Sequence, residues 1–159
     1  MLSFKILLLL SVANGAPIIL HKLLDRRFDW PVDFGWVWLG RQPVLGPSKT
    51  WRGIAGALLA STAAAYLLGM GTLIGLVVGS LAMAGDLFSS FVKRRLGIPS
   101  SGMALGLDQI PEALFPLLWL KAGLHLSYFH VLWLTAAFFV MELAISRVLY
   151  RLNIRKQPY

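Results

Sequence analysis

Five apolar stretches, each close to the length needed to cross a bilayer, leave this 159-residue chain few folds to choose from. Spanning the hydrocarbon takes about 20 apolar residues at about 1.5 Å rise each. Residues 3–21, 53–70, 72–92, 110–124 and 128–150 approach that length. The predicted class is all-α: a polytopic integral membrane protein of about five transmembrane helices, forming a single transmembrane domain over residues 1–159. The longest loop, roughly 22–52, is too short for a separate soluble domain. Charged residues make up 14% of the chain, against about 25% in soluble domains, which agrees with membrane residence. The first stretch has Lys5 ahead of a leucine run, as a secretory signal would. It continues through Ile18, Ile19 and Leu20 without a small-x-small cleavage site, so it reads as a retained helix. The fourth stretch is short, with Pro111 and Pro116 near its start, and is expected to begin as a partly buried or re-entrant element.

A formal net charge of +8 admits nucleic acid, anionic lipid or a polyphosphate ligand as partner. Its distribution decides. Thirteen of the fifteen Lys and Arg residues fall in the first loop (Lys22 to Arg52), after the third stretch (Lys93, Arg94, Arg95) and at the C-terminal end (Arg147 to Lys156). In a five-span topology these regions share one side, which the positive-inside rule makes cytoplasmic, with the N-terminus outside. Topology therefore explains most of the basic charge, and no nucleic-acid partner is expected. The absence of cysteine excludes disulfides, thiol catalysis and thiolate metal sites. Small residues repeat every fourth position in Gly71, Gly75, Gly79 and in Gly53, Ala57, Ser61, a spacing that lets membrane helices approach closely. Trp30, Trp36 and Trp38 in the first loop read as interfacial anchors.

The residues able to carry chemistry fall in three clusters. In "GDLFSSFVKRRLG", Gly85 to Gly97, a helix turning about 100° per residue places Asp86, Ser89, Ser90 and Lys93 on one stripe with Arg94 at its border. A bland account is an ion pair from Asp86 to Lys93 or Arg94 within that helix. "GPSKTWRG", Gly46 to Gly53, puts Lys49 and Arg52 at a helix start, where backbone N–H groups favour anions. It is not a Walker A loop, and Ser48 would serve equally as a cap. "LDQIPEALFP" holds Asp108 and Glu112 four residues apart, where Asp108 would also suit an N-cap. All three clusters lie at the same interface. Together they offer carboxylates for a hard divalent cation and Lys and Arg for phosphates, the combination used in nucleotidyl or phosphoryl transfer.

In matching order, "ANGAP" (13–17), "PVDFG" (31–35), "LGRQPVLGPSKTWRG" (39–53), "GDLFSSFVKRRLG" (85–97) and "LDQ" (107–109) resemble the CDP-archaeol synthase family, membrane enzymes related to phosphatidate cytidylyltransferases. The resemblance implies five transmembrane helices and a magnesium-dependent reaction of CTP with a lipid phosphate, giving a CDP-lipid and pyrophosphate. It implies substrate-binding roles for Lys49, Thr50, Arg52 and Gly53, and for Asn14, Asp33 and Ser90. It implies catalytic roles for Asp86, Lys93, Arg94 and Asp108, with Asp86 and Asp108 as the metal ligands. The implied partners are CTP, the lipid phosphate and membrane lipids, and a homodimer is compatible with it.

Three departures from the family pattern stand out. Glu112 comes one position later than the acidic residue that commonly follows "DQx", Leu39-Gly40-Arg41 replaces "DGR", and "IPSSGMALG" lacks a lysine and an "APxP" pattern. A non-catalytic membrane subunit or lipid-binding scaffold, with the polar clusters as packing ion pairs, is the rival reading. A transporter is the third, kept open by Glu142 in the last stretch, although transporter sites lie near the midplane; Arg147 is the expected partner of Glu142. His125 and His130 read as interfacial residues.

Overall fold

The computed structural model describes residues 1–25, 27–38, 42–100 and 102–152. Arg26, the Leu39-Gly40-Arg41 departure, and Arg155 and Lys156 of the C-terminal basic run lie outside the described residues. Among the described residues five helices follow one another: α1 Leu2–Leu24, α2 Trp51–Leu67, α3 Thr72–Arg95, α4 Gln109–Leu124 and α5 Tyr128–Arg151. Between α1 and α2 the chain forms a small antiparallel hairpin, β1 Val37–Trp38 and β2 Gln42–Pro43, with Val37 opposite Pro43 and Trp38 opposite Gln42. This hairpin is an addition to the expected all-α fold. It forms where Trp, Val and Pro leave no helical apolar period.

By length and apolarity α1, α3 and α5 can each cross a membrane. The remaining helices, α2 with 17 residues and α4 with 16, reach only about 25 Å at 1.5 Å per residue, against a hydrocarbon core of about 30 Å. They pack within the bundle beside the longer helices: α2 against α1 and α3, α4 against α3 and α5, and α1 against all four others. The outer surface carries exposed Leu59, Leu73, Phe129, Leu132, Trp133 and Val140, a surface suited to lipid as solvent.

Successive helices run antiparallel, so the bundle has two unlike ends. The half holding the chain's N-terminus is dry, with Ile6, Leu9 and Leu10 of α1 packed on Leu117 and Leu120 of α4 and on Leu134 and Phe138 of α5. The other half, where the basic segments gather, holds the polar residues. The α2–α3 seam follows the small-residue pattern: a Cβ on Gly75 or Gly79 would collide with Ser61, and with Thr62 or Ala57 beside it. Gly71 serves differently. It has open space around it and starts α3 at φ 94°, in the left-handed region that glycine tolerates.

Lys5, isolated at the dry end, donates to the carbonyl of Leu68 at 2.6 Å and so satisfies an acceptor at the end of α2. Lys5→Met is expected to cost roughly 1–3 kcal/mol as a lost charged hydrogen bond, read as a lower unfolding temperature in detergent. The geometry of the polar half should be unchanged, because this contact is at the far end from it.

Candidate active site

A cavity of about 790 Å³ opens in the polar half, walled by α1 to α4 and reached by Glu142 of α5. Each wall contributes through a local feature of its sequence. On α3 the 100° turn per residue brings Asp86, Ser90, Lys93 and Arg94 to the cavity. Ser89 turns toward the neighbouring chain instead, donating to the carbonyls of Gly85 (2.9 Å) and Leu107 (2.5 Å) and so tying α3 to the segment before α4. At the start of α2, Thr50 is the N-cap, its Oγ1 accepting from Gly53 N–H at 3.3 Å. That cap fixes the path of Ser48 and Lys49, and Gly53 lets α2 lie close to Pro17 of α1.

Two ion pairs span the cavity's segments. Lys49 Nζ lies 2.6 and 2.7 Å from the two oxygens of Asp86, and Lys93 Nζ lies 2.5 Å from Asp108. Asp86 is thus paired across helices rather than with Lys93 or Arg94 of its own helix. The pairs share one field, since Lys93 also acts on Asp86 and Asp108 on Lys49. Burial works against a charge on Lys49, but Asp86 foremost, then Glu112 and Asp108, outweigh it and hold its pKa above the ordinary lysine value. Arg94 is nearly fully buried, donates to the carbonyl of Pro99 at 2.8 Å, and keeps an Nε–H with no acceptor among the described residues. Asp108 heads α4 without capping it, because its Oδ2 accepts from Ala104 N–H at 2.9 Å.

Asn14 also lines the cavity, from α1. Asp33 and Arg52 do not. At the start of α2, Arg52 donates to the carbonyls of Asp25 (2.8 Å) and Arg27, pairs with Asp29 at 2.8 Å, and meets His21 Nδ1 at 2.8 Å, so its partners His21, Asp25 and Asp29 line the cavity although Arg52 itself does not. Asp33 folds into its own loop. Its carboxylate accepts from Gly35 (3.0 Å), Leu45 (2.8 Å) and Gly46 (2.9 Å). Burial would raise its pKa, but the three N–H donors prevail and hold the carboxyl below the usual range.

Glu112, left outside the predicted site, belongs to it. Its carboxyl is buried, lines the same cavity, and acts on that of Asp86 at close range. The close approach of α3 to α4 at Gly85, where any Cβ would strike the backbone of Pro111 and Glu112, brings the two carboxyls together. A glycine immediately before Asp86, and a glutamate four residues after Asp108, were the sequence signals for it.

The model of the cytidylyltransferase family matches residues 34–106, from the hairpin loop through Lys49 and α3 to just before Asp108. A CDP-archaeol synthase of Saccharolobus islandicus is 30% identical, with 100% of this chain and 96% of that protein aligned. The chain belongs to the CDP-archaeol synthase family. The synthase of Hyperthermus butylicus is 38% identical over 62% of this chain and 59% of its own. A solved structure described as an intramembrane enzyme for archaeal membrane lipids biosynthesis superposes with a TM-score of 0.73 at 30% identity, covering 89% of this chain and 90% of that one. Membership makes the chain a cytidylyltransferase of membrane-lipid biosynthesis and a multi-pass membrane protein.

The donor chemistry of the cavity fits a hard divalent cation. Among the described residues no three carboxylate or imidazole groups converge at metal-ligand spacing. Magnesium, however, is commonly held by one or two carboxylates with water and substrate phosphates supplying the rest. Asp86 and Asp108 meet that requirement, with Glu112 beside Asp86.

Proposed function

We propose that this transferase joins CTP to an archaetidic-type, ether-linked lipid phosphate at the cytoplasmic face of the cell membrane, releasing pyrophosphate. The observation that carries the reading is the pair of salt bridges Lys49–Asp86 and Lys93–Asp108, four opposite charges from three segments lining one cavity at the basic end of the bundle. Buried pairs of this kind are weakly stabilising at best. They hold both the cations needed for phosphates and the carboxylates needed for a metal ion, each neutralised until substrate enters.

In the proposed reaction an oxygen of the lipid phosphate attacks the α-phosphorus of CTP, the new P–O bond forms in line, and the bond to the β-phosphate oxygen breaks. Lys49, Lys93 and Arg94 donate to the phosphate oxygens as charge-assisted partners. Ser90 and Asn14 offer neutral donors at the same wall. Asp86 and Asp108 would hold magnesium, which when bound supplies neutralisation of the triphosphate charge. No side chain needs to become covalently attached. Thr50 and Gly53 shape the floor through the cap of α2. The positive-inside rule places the N-terminus outside and the basic end, with the cavity, in the cytoplasm. Every residue named here comes from one copy of the chain, so the chemistry does not require a homodimer.

The testing experiment uses purified protein, cytidine-labelled CTP, magnesium and matched ether-isoprenoid and ester-acyl lipid phosphates. Labelled lipid formed with the ether lipid, and less of it with the ester lipid, is the expected result. Equal use of both lipids removes the ether-lipid assignment, and no labelled lipid with either removes the reaction.

A further inference from the structure

Lys93, Arg94 and Arg95 are consecutive, so a helix cannot turn all three to one cavity. Lys93 and Arg94 line it, whereas Arg95 faces the hairpin. Its Nη1 donates to the carbonyl of Trp38 at 3.0 Å and its Nη2 to those of Gln42 (3.3 Å) and Pro43 (2.8 Å), so one guanidinium grips both strands. The same group lies 5.8 Å from the ring of Trp38 and 5.5 Å from that of Phe91, which themselves pack with centroids 5.8 Å apart. The hairpin is thereby fastened to the end of α3 by a fork and an aromatic stack.

Asp33 fastens the next part of the loop. It takes the N–H groups of Leu45 and Gly46 on one carboxylate oxygen, and Val44 N–H bonds the carbonyl of Trp36 at 2.9 Å. From Gly46 the chain passes directly to Lys49, whose N–H bonds the Gly46 carbonyl at 3.3 Å and whose carbonyl accepts from Val32 at 2.8 Å. Gly46 has φ 94° and sits against Ser100 and Arg94, leaving little room for a side chain. The backbone of Lys49 is therefore held from two sides, by the hairpin and the Asp33 turn before it and by the Thr50 cap after it.

We propose that Arg95 and Asp33 are positioning residues, which hold the hairpin and the Leu45-Gly46 turn against α3 and so set Lys49 over the cavity that receives the nucleotide. The inference rests on the proposed CTP site for its kinetic consequence, but the fastening itself can be read without substrate. Lysine cannot replace Arg95, because a single ammonium lacks the planar fork that reaches both strands and stacks on the rings. Charge is nevertheless conserved in that change, which separates positioning from electrostatics.

The experiment compares wild type, R95K and D33N by steady-state kinetics and by hydrogen exchange of peptides covering residues 44–50 and 72–90. Both variants are expected to raise the KM for CTP about tenfold, the scale of one or two lost hydrogen bonds, with the KM for lipid phosphate little changed. Exchange should quicken in 44–50 and stay at the wild-type rate in 72–90. Wild-type KM for CTP in both variants, or a raised KM with 44–50 still protected, would overturn the proposal. Should R95K also lose protection in 72–90, D33N alone decides by the same criteria. A wild-type protein that fails to bind CTP would overturn the assigned nucleotide, while the exchange data would still show whether the two residues fasten the loop.

Discussion

Replacing Asp86 with asparagine is expected to lower cytidylyl transfer about 10²–10³-fold, the usual loss when one preorganised electrostatic group is removed from a reacting phosphate or oxyanion site. Asparagine keeps the shape and one acceptor for Lys49 but not the charge that both Lys49 and a metal ion need. The variant should still insert and fold, because Glu112 is a second carboxylate acting on Lys49. The decisive companion is the double variant Asp86→Asn with Lys49→Met. Removing both charges relieves the buried ammonium left by the single change, so stability should recover relative to Asp86→Asn. Activity should not. A scaffold whose clusters exist only to pack helices would regain its function together with its stability. Labelled-lipid formation and unfolding temperature, measured on the three proteins side by side, separate the cases. Asp86→Asn turning over within a few-fold of wild type would remove Asp86 from the chemistry.

That experiment probes a contact the sequence could not supply. The stripe Asp86, Ser90, Lys93 is legible because it is local: 100° per residue fixes it once the helix is granted. The helix itself was legible to within three residues, 72–92 expected against Thr72–Arg95 observed. The partner of Asp86 was not. Lys49 is 37 residues away along the chain, and its placement depends on how far α2 slides along α3, which the contacts of Gly75 and Gly79 with Ser61 set. Single-sequence periodicity carries no such register. The same limit hid Arg52. Its position in "KTWRG" suggested substrate, and no local pattern showed that Asp25 and Asp29, more than twenty residues earlier, engage its guanidinium. Trp38, exposed like Trp30 and Trp36 as anchors would be, also packs on Phe91 and Arg95, a contact that its sequence did not reveal.

Glu112 shows how a departure from a motif can be absorbed by the fold. It stands one residue later than the family's acidic position, which on a helix is a 100° displacement and should move a carboxylate off the site. Here Glu112 lies in the first turn of α4, where α3 presses against the backbone of Pro111 and Glu112, and its side chain still reaches Asp86. The rewritten "IPSSGMALG" segment is compensated in a similar way. Without its lysine, it provides backbone carbonyls, Gly102 accepting from Lys93 at 3.2 Å and Pro99 from Arg94 at 2.8 Å. Lys93 is thus steadied by the Gly102 carbonyl beside its ion pair with Asp108, and Arg94 by the Pro99 carbonyl, which carries no net charge and does not compete with a phosphate for the full positive charge.

The second large effect is expected at a residue with no chemistry of its own. In Gly85→Ala the new Cβ would overlap the carbonyl of Pro111 and the N–H of Glu112, backbone atoms that cannot rotate away. Helices α3 and α4 must then part. Overpacking of this sort typically costs about 1–3 kcal/mol, and here the separation also stretches Asp86 from Glu112 and Lys93 from Asp108. The variant should lose both unfolding temperature and most of its activity, with the loss in kcat exceeding what the unfolded fraction accounts for. Gly15→Ala is the matched control: that glycine is also helical, has nothing within 4 Å of a built Cβ, and should gain up to about 1 kcal/mol from better helix propensity. If Gly85→Ala kept wild-type stability and turnover, the α3–α4 contact would not be what brings the carboxyls together. The cavity's geometry would then have to depend on the loop side, on Arg95 and Asp33, alone.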